Sequence, residues 1–291
     1  VAQGWKRPVY FAMTVPDRYY VGLKPYMQNT GMAYEVTPIR QLTSDGEIVT
    51  NTDKAYENVT KKFRWAGIDK ATPGSLYLDE TIRRMVATTR STINDLAYML
   101  IYEGAEATIK AESKEEPVSA EEKAKLTAYA ADRFTKARTV LLLMEEKLPV
   151  KACPYSVHMG YSIAQTWDFL AQYGGNKADK EHCIKLVEEE IEHWGQYVRF
   201  YQSLNTSLYN RLTMNDRYID QRMFPELLYY LSQLSASRGK KMVETMMKKN
   251  VNVERSLNFL YQSQTKASAA QEEQQVAQAT EAAADSTAPV W

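Results

Sequence analysis

The chain has 291 residues, and its 36 Lys+Arg balance 36 Asp+Glu to a formal net charge of zero. That balance argues against wholesale binding to nucleic acid or to an anionic membrane, which wants a basic excess, and no run of about 18 apolar residues is present to span a bilayer. The length allows one large or two small domains, and the 20 Tyr, 7 Phe and 5 Trp suit helix packing with one wet edge or a glycan-stacking surface.

The opening residues Trp5-Lys6-Arg7-Pro8-Val9-Tyr10-Phe11-Ala12 read as a buried strand, Pro8 to Thr14, in a chain that is otherwise helical. A strand needs partners, so one that starts this early is expected to belong to a longer polypeptide. Val15 to Arg18 is a turn. Leu23 to Thr30 suits a short helix with Gly31 as its C-cap, and Tyr34 to Ile39 suits a second strand. Strand, helix and strand over about 30 residues predict a βαβ unit with a small parallel sheet. Asp45-Gly46 marks a tight turn. Asp53 to Phe63 reads as a short helix capped by Thr52 or Asn51.

From Leu76 onward the apolar period is helical. Ile82, Met85, Val86, Ile93, Leu96, Ala97, Leu100 and Ile101 form one stripe, ending in a charged linker at Glu112 to Pro117. Ser119-Ala120-Glu121-Glu122 is a capping box that opens a second helix, which runs to Lys147. A third helix runs from Cys153-Pro154 to Gly174-Gly175, and a fourth from Ala178 to about Leu204. Further helices are predicted over Asp216 to Leu234, Lys240 to Lys248 and Val253 to Gln262. Ala137, Leu141, Met144 and Pro149 match the second half of a tetratricopeptide repeat, and Leu96 to Gly104 the first half. The predicted class is therefore mostly α: degenerate tetratricopeptide-like helical hairpins behind a small N-terminal α/β (βαβ) segment. Residues 1–75 form that segment and 76–264 the helical repeat-like domain. Residues 265–291 are too polar and Ala-rich to order, a disordered tail.

Few residue sets suggest chemistry. The chain has no GxSxG, no phosphate loop and no GxGxxG. His182 and His193 lie about three helical turns apart, too far to share one zinc. No metal, cofactor or catalytic residue is nominated. Cys153 and Cys183 leave pairing open. Glu188-Glu189-Glu190 with Glu192 reads as a wet helix face. Arg83, Arg90 and Asn94 fall within about 40° on a helical wheel, flanking the apolar stripe. Two guanidiniums and an amide on a groove edge would bind a carboxylate, phosphate or sugar hydroxyls. Lys6 and Arg7, beside Trp5 and Tyr10, are candidates for an anionic head group.

Trp5-Lys6-Arg7-Pro8-Val9-Tyr10-Phe11-Ala12, Tyr20-Val21-Gly22-Leu23, Gly31-Met32-Ala33-Tyr34, Lys62-Phe63-Arg64-Trp65 and Tyr77-Leu78-Asp79-Glu80 with Arg83-Arg84-Met85 occur in this order. In them the chain resembles the soluble C-terminal region of a family of polytopic membrane proteins of Bacteroidota. That family is grouped with GT-C-type glycosyltransferases similar to protein O-mannosyltransferases. The resemblance implies a transmembrane N-terminal half of the same polypeptide that performs glycosyl transfer. It places this region on the periplasmic side of the cytoplasmic membrane and carries over no catalytic residue. The implied role is a non-catalytic scaffold for the membrane half and for an acceptor protein or lipid-linked sugar. Asp285-Ser286-Thr287 is similar to the short acceptor motif of Bacteroidota O-glycosylation. Two alternatives remain: a free-standing tetratricopeptide-like peptide binder, or a part that contributes donor-binding Arg83 and Arg90 to a glycosyl-transfer site.

Overall fold

The computed structural model describes residues 7–65, 67–70, 76–114, 117–213 and 219–258. Lys6 and the predicted tail 265–291 lie outside them. The chain divides into two compact units, Val1–Cys183 and Ile184–Trp291.

The first unit opens with a four-stranded sheet of β1 (Val9–Ala12), β2 (Met27–Asn29), β3 (Ala33–Val36) and β4 (Val49–Thr50), in the order β1-β3-β2-β4. β3 pairs antiparallel with both β1 and β2, and only β4 runs parallel, to β2. The α/β character of the segment holds, but the parallel βαβ connection does not. The expected helix at Leu23–Thr30 is one 3-10 turn, Lys24–Tyr26, followed directly by β2. Pro25 suits a helix's first turn and does not end it; what ends it is the pairing of Met27 to Asn29 with β3. Gly31 is accordingly no helix cap. It sits in the β2–β3 hairpin turn at φ +114°, a value that favours glycine, with Thr30 N–H donating to the Ala33 carbonyl at 3.0 Å.

β1 was expected to be buried. It is an edge strand, and Val9 and Tyr10 are exposed. The sheet obeys the two-residue period. Phe11, Met27, Tyr34 and Val36 share one face, where Tyr20 completes the core with ring centroids 5.6 Å from Phe11 and 6.0 Å from Tyr34. Tyr10, Gln28 and Glu35 share the other, where Lys54 reaches Glu35 at 2.6 Å.

Asn51 caps α1 (Thr52–Glu57), its Oδ1 accepting the Lys54 N–H at 3.0 Å. The helix runs on through a wider π turn, Asn58–Lys62. α2 (Glu80–Glu112) starts at Asp79, whose carboxylate accepts the Ile82 N–H at 2.8 Å. α3 (Ala120–Lys147) starts at Ser119, whose Oγ accepts the Glu122 N–H at 3.2 Å, as the capping box requires. α4 (Val157–Gly174) starts at Ser156 and ends at Gly175 in the left-handed conformation, φ +65°.

α2 packs along α3 and against α4. Ile93, Leu100, Ile101, Leu141, Met144 and Ile163 are fully buried there. Gly104 of α2 lets the Phe134 ring of α3 lie so close that a Cβ at 104 would sit 2.7 Å from it. α5 (Lys177–Ser203) contributes its first turns to this unit. Asp179 is held by Arg138 of α3 at 2.8 Å, and Cys183 Sγ donates to the Ala164 carbonyl at 3.2 Å. Both cysteines are free and buried.

In the second unit the rest of α5 is followed by α6 (Thr206–Leu212), a π turn at Ile219–Met223, α7 (Phe224–Leu234), α8 (Ala236–Lys248) and a helical stretch over 253–258. α6 is a short helix that the sequence reading missed, capped by Asn205. Phe224, Leu227, Leu231 and Met246 are buried. α7 and α8 approach backbone to backbone at Gly239, where a Cβ would lie 2.7 Å from Ser232 Cα.

Candidate functional site

The structure treats the five nominated residues differently. Lys6 is outside the described residues, and Arg7 is exposed two residues before β1. Arg83 is exposed near the start of α2. Arg90, on the same helix face, is 2% exposed. Its Nη2 donates to the carbonyls of Leu148 at 2.7 Å and Cys153 at 2.6 Å, and its guanidinium lies 4.5 Å from the centroid of the Tyr155 ring. Leu148 is the C-cap of α3. Arg90 therefore satisfies carbonyls that the helix end and its following loop leave open, at the negative end of the α3 dipole. Asn94 is also buried and donates to Ser162 Oγ of α4 at 3.2 Å. Arg90 and Asn94 thus bind the protein's own interior, and only Arg83 of the three faces solvent.

A larger polar knot went unread in the sequence. It joins α1, α2 and α3 around Arg133. This guanidinium grips Asp53 with both carboxylate oxygens, at 2.7 and 2.9 Å, and its Nε lies 3.2 Å from Glu103. Lys136 adds a 2.9 Å contact to Asp53, and Thr52 Oγ1 donates to Glu103 at 2.8 Å. The Tyr129 ring lies 4.5 Å from the Arg133 guanidinium. The hydrogen bonds from Arg133 hold the Asp53 carboxyl well below the usual carboxylate range; burial opposes them and Lys136 reinforces them. For Glu35, burial pushes upward, but hydrogen bonds from Lys54 and Gln28 win and hold it low. One clue to the knot was legible: Arg133 sits among Ala130, Phe134, Ala137 and Leu141, on the face that α3 buries. The same knot fastens the sheet segment to the helices through Thr52 and Asp53.

In the second unit, α5 and α8 border a groove of about 480 Å³ lined by Lys185, Glu188, Glu189, Glu192, Arg238 and Lys241, among others. The glutamate run is not one wet face. Glu188 takes a two-point grip from Arg238, with Nε at 2.7 Å, and Glu190 is buried and accepts the Trp194 indole N–H at 3.0 Å. Below it, Asp220 is fully buried in the π turn. It accepts from Tyr209 Oη at 3.0 Å, Gln202 Nε2 at 3.3 Å and Ser256 Oγ at 3.4 Å. These donors come from α5, α6 and the stretch after α8, so Asp220 ties the unit's ends together. Among the described residues no group of three or more His, Cys, Asp or Glu is arranged to hold a metal ion.

Residues 1–55 match the family model described as TMEM260-associated domain 2. The matched stretch contains all four strands and the start of α1, including Asp53, and ends before Glu103 and Arg133. No curated protein and no solved structure matches the chain. No helix among the described residues is long and apolar enough to cross a membrane.

Proposed function

We propose that this chain is the soluble, non-catalytic periplasmic region of a membrane-bound GT-C-type glycosyltransferase-like protein of the Bacteroidota kind. In this reading it is a helical scaffold for the membrane half and for an acceptor protein or lipid-linked sugar. The observation that carries the reading is the likeness of residues 1–55 to TMEM260-associated domain 2. Two features of the molecule support it. Its most concentrated polar groups, around Arg90, Arg133 and Asp220, are spent on internal contacts between helices. Among the described residues β1 is an edge strand of the sheet, with exposed Val9 and Tyr10, a surface that another polypeptide can extend.

The test is genetic. Deleting the codons for residues 76–258 from the chromosomal gene, with the membrane-spanning part retained, should abolish the glycoprotein products of that gene. The Arg83→Ala variant should keep them. Undiminished glycosylation after the deletion, or loss caused by Arg83→Ala alone, overturns the scaffold role.

A further inference from the structure

The outer stripe of α2 combines open aromatic rings with carboxylates that have no counter-ion. At about 100° per residue, Ser91, Asp95, Tyr98, Tyr102, Glu106 and Ile109 fall within one arc of about 80°. All but half-buried Ser91 are exposed, Tyr98 to 47% and Tyr102 to 52%. Beside the stripe, Phe169 of α4 stacks on Tyr98 with centroids 5.4 Å apart, and Tyr173 meets Phe169 edge-on at 4.7 Å. The charge here has one sign. α2 has no Lys, Arg or His from Ser91 to Ile109, and α4 has only His158, in its first turn. The flanking cations of α2 are spent or distant. Arg90 is buried on its two carbonyls, and Lys110 lies 3.6 Å from Glu122. Arg84, on the same arc, is eleven residues before Asp95, about 16 Å along the axis. Glu103 is turned away, to Arg133. Among the described residues no cation pairs with Asp95 or Glu106. Asp95 takes a hydrogen bond from Ser91, but burial by the protein around it pushes its carboxyl pKa up. Glu106 and Ile109 also line a cavity of about 440 Å³, with Pro117 and Val118, at the α2–α3 connection.

We propose that the outer stripe of α2, with Phe169 of α4 beside it, docks an extended basic segment of another protein. Arginine or lysine heads meet Asp95 and Glu106, and their stems and planar groups lie on Tyr98 and Tyr102. Three features select this occupant. Carboxylates without counter-ions attract cations and repel phosphates, which argues against nucleic acid and anionic lipid. Open tyrosine faces attract guanidinium and ammonium groups as well. Asp95 and Glu106 are eleven residues apart on the helix, about 16 Å, too far for one small cation to reach both. About five residues of an extended peptide cover that span. The inference uses α2 and α4 alone and stands apart from the family reading.

The experiment is fluorescence anisotropy of a labelled peptide, three repeats of Arg-Ser-Gly-Ser-Gly, titrated with the full chain. The chain should bind it and not the same peptide with glutamate in place of arginine, and 0.5 M NaCl should release it. D95N/E106Q should weaken binding about tenfold, and Y102S several-fold. D45N/E254Q, which removes the same charge from exposed positions elsewhere, should leave it unchanged. These substitutions are all at exposed positions, and circular dichroism of each variant should match the parent chain. No binding of the arginine peptide, equal binding of the glutamate peptide, or an unaffected D95N/E106Q overturns the proposal. So does an equal loss from D45N/E254Q, the mark of attraction to net charge alone.

Discussion

Arg90→Met tests whether this arginine holds the fold or serves a ligand. Arg90 is 2% exposed and donates to the carbonyls of Leu148 and Cys153 at 2.7 and 2.6 Å. Methionine fills much of the same volume but donates nothing. Each lost bond from a charged donor is worth about 1.5–3 kcal/mol, and part of that is the penalty of leaving a buried carbonyl unpaired. The contact with Tyr155 adds about 1 kcal/mol. These contributions overlap, and the relief of a buried charge offsets some of them. The expected loss is about 4 kcal/mol. For a unit of this size that is a fall in Tm of about 10 °C. Urea unfolding followed by circular dichroism at pH 7 gives the value. Arg90→Lys should fall between, because an ammonium keeps the charge and can donate to the two carbonyls but loses the planar contact with the Tyr155 ring. A loss under about 1 kcal/mol for Arg90→Met would refute the structural assignment and return Arg90 to the list of residues available to a ligand.

Three further outcomes follow from the same contacts. The Asp53 carboxyl is held below its unfolded value by Arg133, so its contribution to stability is full above about pH 4 and disappears as pH falls through the folded value. Asp53 is more than half exposed. Asp53→Asn should therefore cost only about 1 kcal/mol at pH 7, and the gap between the variant and parent urea midpoints should narrow steadily as pH falls below about 4. Gly104→Ala should cost about 1–3 kcal/mol, because the new Cβ would lie 2.7 Å from the Phe134 ring. The combination with Phe134→Leu should be less than additive in thermal unfolding. Asp220→Ala, which strands the donors Tyr209, Gln202 and Ser256, should cost about 3 kcal/mol, and Asp220→Asn clearly less.

The helical part of the fold was legible where local chemistry decides it. Ser119 with Glu122, Asp79 before Ile82, and Gly175 after α4 mark ends that depend only on neighbouring residues. The sheet was misread because its decisive contacts are not local. Met27 to Asn29 become a strand by pairing with Ala33 to Val36, which their own propensity does not require. The helical wheel placed Arg90 and Asn94 on one face correctly. It could not say whether that face meets water or protein. Leu148 and Cys153, 58 and 63 residues away, settled that question. Arg133 was passed over as one polar residue within an apolar stripe, although that placement is what a buried, partnered arginine looks like in sequence.

The most direct test of the scaffold account is reconstitution from two pieces. On the proposed reading a membrane half belongs to the same polypeptide; this chain, expressed in trans with that half, should co-purify with it in mild detergent and restore glycosylation. By itself it should transfer no sugar from a lipid-linked donor. Failure to associate, or sugar transfer by this chain unaided, would contradict the account.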